Sequence, residues 1–468
     1  MSFDIAALLK AHEGENYALH EAHINPVFAR MLKTIGFDRC YVRAEGPYLW
    51  DVKGEKYLDF LSGYGVFALG RNHPLVRDAL TDFMNLGYSS LVKMEAPLPA
   101  GLLAAELKKR VCVEMDTVFF CNSGAEGVET AVKYARAATG RSVIVHCGKA
   151  FHGLTLAALA LNGDESFRDG FGPLDPHTRL VPFDDLGALE AALHQGDVAA
   201  FVVEPIQGKG VNLPRPGYLS EAARLCHKHG ALFVADEVQT GLGRTGRFLC
   251  IEHEPAPVEA DIVVLSKALS GGFVPVGAVL TKRWISERVF DSMERAVVHS
   301  TTFGQNALAM VAGLATLAAY DELQVIENAA RRGREIMDGL EAMKARYPFI
   351  KEVRGRGVMI GIEFRRPDSL GLGTAWDLIH KMNQSLFPQA VVIPLLDDHR
   401  VLTQVAGHHI DVVKLLPPLI IGEADVSWFL ESFEAVMKGM HRFPGPVWKV
   451  LAKLGKAAMT SRPSTEVA

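Results

Sequence analysis

Between about residue 100 and residue 290, short and wholly apolar runs alternate with segments of helical length. The runs are 117–120, 143–146, 199–203, 232–235 and 262–265, and amphipathic stretches separate them. A strand with no polar side is buried on both faces, and a helix between two such strands carries the chain back to start a parallel neighbour. The alternation therefore predicts an α/β fold built on a largely parallel sheet covered on both sides. Open sheets of this kind take their ligands at the C-terminal ends of the strands, so the residues just after each run are the first candidates for chemistry.

The flanks read differently. Residues 1–40 are helical and amphipathic, 47–60 form a hairpin around Asp51–Gly54, and a helix follows His73-Pro74. From about residue 336 a helix, a glycine-rich turn at 354–357 and a strand at 358–364 open a smaller α+β unit. With 49% hydrophobic and 22% charged residues, 468 residues are enough to bury a sizeable core, which excludes a disordered or disulfide-stapled chain. A net charge of -5 argues against nucleic acid as a partner. The six cysteines show no C-x-x-C pair and the first 16 residues no apolar signal core, so we expect reduced thiols and a cytoplasmic location. No stretch reaches the roughly 18–20 apolar residues of a membrane span.

Four signals sit at the ends of the runs. Phe120-Cys121-Asn122-Ser123-Gly124-Ala125-Glu126 places Ser123, Gly124 and Ala125 at a helix N-terminus, either a plain cap or a seat for phosphate. Phe151, in Phe151-His152-Gly153, either stacks on a planar cofactor or packs in a core. Asp236 ends an apolar strand, where a carboxylate needs a partner; a protonated pyridine nitrogen or a structural cation would serve. Lys267 directly follows another buried run, and is either an exposed strand-end lysine or an amine whose pKa is lowered there, suited to imine chemistry with a carbonyl.

These motifs resemble those of the class III, ornithine-type (ω-amino) aminotransferases, pyridoxal-phosphate enzymes of fold type I. The resemblance covers about residues 40–425. It rests on 56–60 (Lys-Tyr-Leu-Asp-Phe), 123–126 (Ser-Gly-Ala-Glu), 151–153 (Phe-His-Gly) and 204–207 (Glu-Pro-Ile-Gln). It continues with 236–239 (Asp-Glu-Val-Gln), 266–269 (Ser-Lys-Ala-Leu) and 300–304 (Ser-Thr-Thr-Phe-Gly), in the family's order. It implies a seven-stranded, mainly parallel sheet in a large pyridoxal 5′-phosphate domain at 91–335. It also implies a smaller α+β domain drawn from both chain ends, 1–90 and 336–440, with an extension at 441–468. Lys267 is then the residue that links to the cofactor and shuttles the proton, and Asp236 the partner of the pyridinium nitrogen. Gln239 would touch the phenolic oxygen, Phe151 with His152 would line the ring, and Ser123, Gly124 and Ala125 would hold the phosphate. Thr302 would reach the phosphate of a second copy, implying a homodimer with shared sites. Glu204 would steady the strand-end geometry.

Two departures bear on substrate. Lys414, before Pro417-Pro418, stands where ornithine-type members carry a carboxylate-binding arginine, and Lys209 stands where they carry a glutamate that pairs with it. A lysine lacks arginine's two-pronged fit to a carboxylate, and two lysines cannot pair with each other. The expected reaction is amino transfer between an amine donor and an aldehyde or oxo-acid acceptor. One substrate is a terminal amine or aldehyde, on a lipid-like skeleton, without an α-carboxylate. The alternatives are an ornithine or acetylornithine aminotransferase using 2-oxoglutarate, or an aminomutase or decarboxylase of the same fold. No metal site is expected: His408 and His409 read as loop residues, and Arg354-Gly355-Arg356-Gly357 as a connection.

The C-terminus breaks the charge balance. Residues 435–465 hold six Lys or Arg and no Asp or Glu, which leaves -11 for the rest of the chain. After Pro446, Val447, Leu451, Leu454 and Ala458 share one helical face beside Trp448, with Lys449, Lys453 and Lys456 on another. Such a helix either packs on its own domain or lies on an anionic membrane, peripheral to its inner face.

Overall fold

A computed structural model describes residues 3–90, 92, 94–382 and 386–441. Its strands are β1 (Tyr41–Glu45), β2 (Tyr48–Asp51), β3 (Lys56–Asp59), β4 (Thr117–Cys121) and β5 (Val143–Cys147). They continue with β6 (Thr178–Val181), β7 (Val198–Val203), β8 (Leu232–Asp236), β9 (Ile262–Leu265) and β10 (Gly277–Thr281), then β11 (Ile350–Arg356), β12 (Met359–Phe364), β13 (Val401–Leu402), β14 (Gln404–Val405) and β15 (Val412–Leu415).

The seven-stranded sheet runs β4-β10-β9-β8-β7-β5-β6. All its pairings are parallel except the two made by β10, which is antiparallel to β4 and β9. Every residue of β5, β7, β8, β9 and β10 is buried, as expected for strands covered on both faces. The helix Gly124–Thr139 packs close over the sheet because Gly127 faces Val264; a Cβ there would stand 2.6 Å from Val264 Cγ1. Two smaller sheets, β1-β2-β3-β13 and β11-β12-β15-β14, flank this core. The first of them joins the two ends of the chain, since β13 pairs in parallel with β3.

The five apolar runs and the 47–60 hairpin are strands as predicted, and the helix after His73 is Pro74–Asn85. Among the strands that escaped the pattern are β6, β10 and β1. β6 lies at the sheet edge and only its last residue is buried, so it shows no apolar run. β10 enters antiparallel after the short 3₁₀ segment Lys267–Ser270, and β1 is mostly exposed. The glycine-rich turn expected at 354–357 is instead the end of β11, with the reversal at 357–358. Arg354 there donates to the carbonyls of Val211 and Gly210 and pairs with Glu363, a structural tie. No single described helix is long and apolar enough to cross a membrane. The extension expected at 441–468 lies, past residue 441, outside the described residues.

Candidate active site

The ends of β4, β5, β7, β8 and β9 meet along one edge of the large sheet, and the four sequence signals converge there. After β4, Ser123 is extended and its Oγ accepts the Glu126 N–H at 3.2 Å, capping the helix Gly124–Thr139. The Glu126 carboxylate turns back onto the Asn122 N–H at 2.7 Å. With those groups paired, the N–H groups of Gly124 and Ala125 bond to no described residue and point out of the first turn. Unpaired N–H groups and the helix dipole together favour an anion. Gly153 holds the opposite side close: its φ is +132°, and a Cβ would stand 2.6 Å from Ala125 Cβ.

Asp236 closes β8 in a nearly dry position, 4% exposed. One carboxylate oxygen accepts the Val238 N–H at 3.1 Å and the other meets His152 Nδ1 at 2.7 Å. His152 is buried, and its Nε2 has no partner among the described residues. Burial pushes the imidazole pKa down, but the bond and charge of Asp236 outweigh it and hold the pKa above the ordinary histidine value. His152 therefore stands behind Asp236 as its partner, which the sequence motif alone did not reveal. The backbone N–H of His152 donates to Asn162 Oδ1 at 2.8 Å.

Lys267 follows β9 at φ +34°, a left-handed backbone that a lysine adopts only under constraint from its surroundings. Its amine bonds to no described residue. Burial lowers its pKa, against the upward pull of Asp236 and Glu204. Glu204, beyond β7, accepts the Phe151 N–H at 3.0 Å and the Gly208 N–H at 2.8 Å, joining two strand-end loops. Burial raises its pKa, opposed chiefly by His152.

A family model for the class-III aminotransferases matches residues 32–437. The chain belongs to the class-III aminotransferase family. It is 35% identical over 452 residues to aminotransferase PigE of Serratia sp. (strain ATCC 39006), covering 90% of this chain and 53% of PigE. It thus spans about half the length of that curated relative. Its fold is similar to the ornithine aminotransferase of Toxoplasma gondii ME49, with a TM-score of 0.80 and 29% identity over 94% of this chain and 100% of the other. It is also similar to a PLP-bound amine transaminase from an uncultivated Pseudomonas species. There the TM-score is 0.73 and the identity 25%, over 86% of this chain and 94% of the other.

Class-III aminotransferases use pyridoxal 5′-phosphate, and the donor set here fits it. A phosphate finds two unpaired N–H groups at a helix N-terminus, a ring nitrogen finds a buried carboxylate, and an aldehyde finds an unbonded amine. The remaining predicted residues fall into two groups. Gln239 donates to the Tyr64 carbonyl at 3.1 Å and accepts from Lys414 Nζ at 3.3 Å. Lys414 is 5% exposed and also donates to the Gly208 carbonyl at 2.8 Å. Burial, then the nearby Lys267 amine, lowers its pKa to about 7. Lys209 forms an ion pair with Asp164. Thr302 is the residue set apart: it lies exposed beside Phe303, while its neighbour Thr301 accepts from Asn122 Nδ2 at 2.9 Å. Sequence reasoning missed Asn162, Asp164 and Phe167, which belong to no conspicuous motif. Among the described residues no group of three or more His, Cys, Asp and Glu suits a metal ion.

Proposed function

We propose that this chain is a pyridoxal-phosphate-dependent aminotransferase that moves an amino group from an amine donor to an aldehyde or oxo-acid acceptor in two half-reactions. The observation that carries the proposal is the meeting of an unbonded, pKa-lowered Lys267 amine with the Asp236–His152 pair and the open N-terminus of Gly124–Thr139. Bound pyridoxal 5′-phosphate supplies an aldehyde that condenses with amines and a ring that accepts the electrons of a breaking C–H bond.

The chain's own residues do the rest. Gly124 and Ala125 bind the phosphate through their N–H groups, with Ser123 holding the helix end rigid. Asp236, oriented by His152 and the Val238 N–H, would hold a proton at the ring nitrogen. Phe151 covers one ring face, and Gln239 orients the phenolic oxygen. Lys267, its pKa lowered by burial, takes a proton at Nζ and returns it on the neighbouring carbon, general acid–base work worth about 10²–10⁴-fold.

The substrate we propose for one half-reaction is a terminal amine or aldehyde without an α-carboxylate, because the two lysines at the positions that set substrate in ornithine-type members are engaged by internal partners. We also propose a cytoplasmic homodimer with shared sites. Thr302 is exposed, and the surrounding loops present Met94 at 89%, Met293 at 89% and Phe303 at 60% exposure. The basic extension at 441–468 is proposed to touch an anionic membrane, a reading that rests on its sequence. Co-sedimentation with anionic liposomes, compared with a chain ending at Phe443, tests that contact; equal partitioning removes it. A screen of amine donors and carbonyl acceptors on the loaded protein tests the function. Conversion by uncarboxylated amines supports it, whereas turnover of acetylornithine with 2-oxoglutarate alone contradicts the substrate reading.

A further inference from the structure

Lys209 sits on the loop that follows Glu204, and Gly208 beside it is held from both sides. Its N–H donates to Glu204 and its carbonyl accepts from Lys414. The Lys209 stem is buried against Gly407, where a Cβ would stand 3.0 Å from Lys209 Cε. The ammonium pairs with Asp164 and lies 4.7 Å from the centre of the Phe167 ring. Phe167 in turn packs edge-on against Phe151, ring centres 5.4 Å apart, and lies 5.8 Å from the exposed His408 ring. One face beside the Phe151 ring is therefore an aromatic cover over a neutralised ion pair.

We infer that Asp164, Lys209 and Phe167 together form a specificity wall that offers a carboxylate no free cation on its side of the pocket and there favours an uncharged, apolar amine or aldehyde skeleton. The inference rests on the aminotransferase reading and specifies which side of the pocket sets its substrate class.

A carboxylate entering a dry pocket loses its water and needs a cation or several donors in exchange. Lys209 cannot supply its charge without giving up Asp164. That carboxyl, though half-burial pushes it up, is held down at about 2 by Lys209 and the Ser166 donors, so it stays charged across the working pH range. Lys414 is committed to Gly208 and Gln239. Arg244, 2% exposed, is bonded to the Pro417 carbonyl through Nη1 and leaves Nη2 without a partner among the described residues, but it belongs to the loop after β8 and not to this wall. An apolar chain faces none of these demands and meets the rings of Phe167 and Phe151 instead.

The test uses the loaded wild type with the variants Asp164→Asn and Lys209→Met. Asparagine still accepts the Ser166 N–H that Asp164 caps, so the local turn is kept while the charge is removed. Titration calorimetry with glutarate, a non-reacting dicarboxylate, reads the wall without turnover. Freed Lys209 should bind glutarate at least about tenfold more tightly in Asp164→Asn, whereas Lys209→Met, with Asp164 left unpaired, should bind it more weakly than wild type. Affinities within twofold across all three proteins, or the same shift in both variants, overturn the wall. In parallel, half-reactions with hexylamine and glutamate should show the Asp164→Asn change as a lower KM for glutamate with little change in its kcat. A loaded wild type that converts no amine overturns the aminotransferase reading; the glutarate titration decides the wall separately.

Discussion

Replacing Asp236 with Asn leaves the shape of the β8 end intact and removes one charge. In the wild type that charge meets a buried imidazole at 2.7 Å, 4% exposed on one side and buried on the other. A hydrogen bond to a charged group contributes about 1.5–3 kcal/mol net. Unfolding entropy near 2.1 cal/mol/K per residue over 468 residues is about 1 kcal/mol/K, so the cofactor-free variant should melt about 1.5–3 °C lower. The difference depends on pH with a definite sign. The folded His152 pKa is raised above its unfolded value, so the pair's contribution is fully present below the unfolded histidine pKa of about 6.5. It is lost as pH rises through the folded value. Melts recorded from pH 5.5 to 9 should therefore show wild type and variant converging toward alkaline pH. On catalysis, losing a preorganised charge from a dry site should lower kcat by about 10²–10³-fold. A gap in melting temperature that is constant or widens as pH rises refutes the pairing of His152 with Asp236 as described.

Three further outcomes follow from the same geometry. Lys267→Ala removes the amine placed to move the proton, and half-reaction rates should fall by at least about 10²–10⁴-fold, with the cofactor held only through its phosphate and ring and lost on dialysis. Gly153→Ala forces a Cβ within 2.6 Å of Ala125 Cβ at a φ of +132°, so the phosphate seat should open, and cofactor titration should show affinity reduced tenfold or more, about 1.4 kcal/mol. Lys414 has a folded pKa lowered to about 7, so the unfolded chain binds more protons between about pH 7 and pH 10. Wild-type melting temperature should rise across that window relative to Lys414→Met, and parallel curves would count against burial of a titrating amine.

What could be read from the chain depended on whether a residue's meaning was local. Asp236 and Lys267 each end an apolar run, and burial alone makes a charged group there conspicuous; Ser123 follows from the strand-to-helix step. The large sheet was legible because β5, β7, β8 and β9 are buried on both faces, whereas β6 at the edge carried no apolar run. The contacts between strand ends were not legible. His152 meets Asp236 only because β5 and β8 both border β7, which brings together residues 84 apart in sequence. Likewise Asp164 and Lys209 lie 45 residues apart, and nothing in either segment names the other. The lysines at 209 and 414 could be recognised as unusual, but that both are engaged by internal partners depended on the fold.

The most direct test of the central claim follows the nitrogen itself. The loaded protein is given a ¹⁵N-labelled primary amine without a carboxylate and an unlabelled aliphatic aldehyde, and both products are examined by mass spectrometry. The account predicts that the label leaves the donor as it becomes a carbonyl compound and appears in the amine formed from the aldehyde, with Lys267→Ala giving none. Label retained on the donor skeleton, whether moved to another carbon or left after loss of carbon dioxide from an added amino acid, would contradict amino transfer as the reaction.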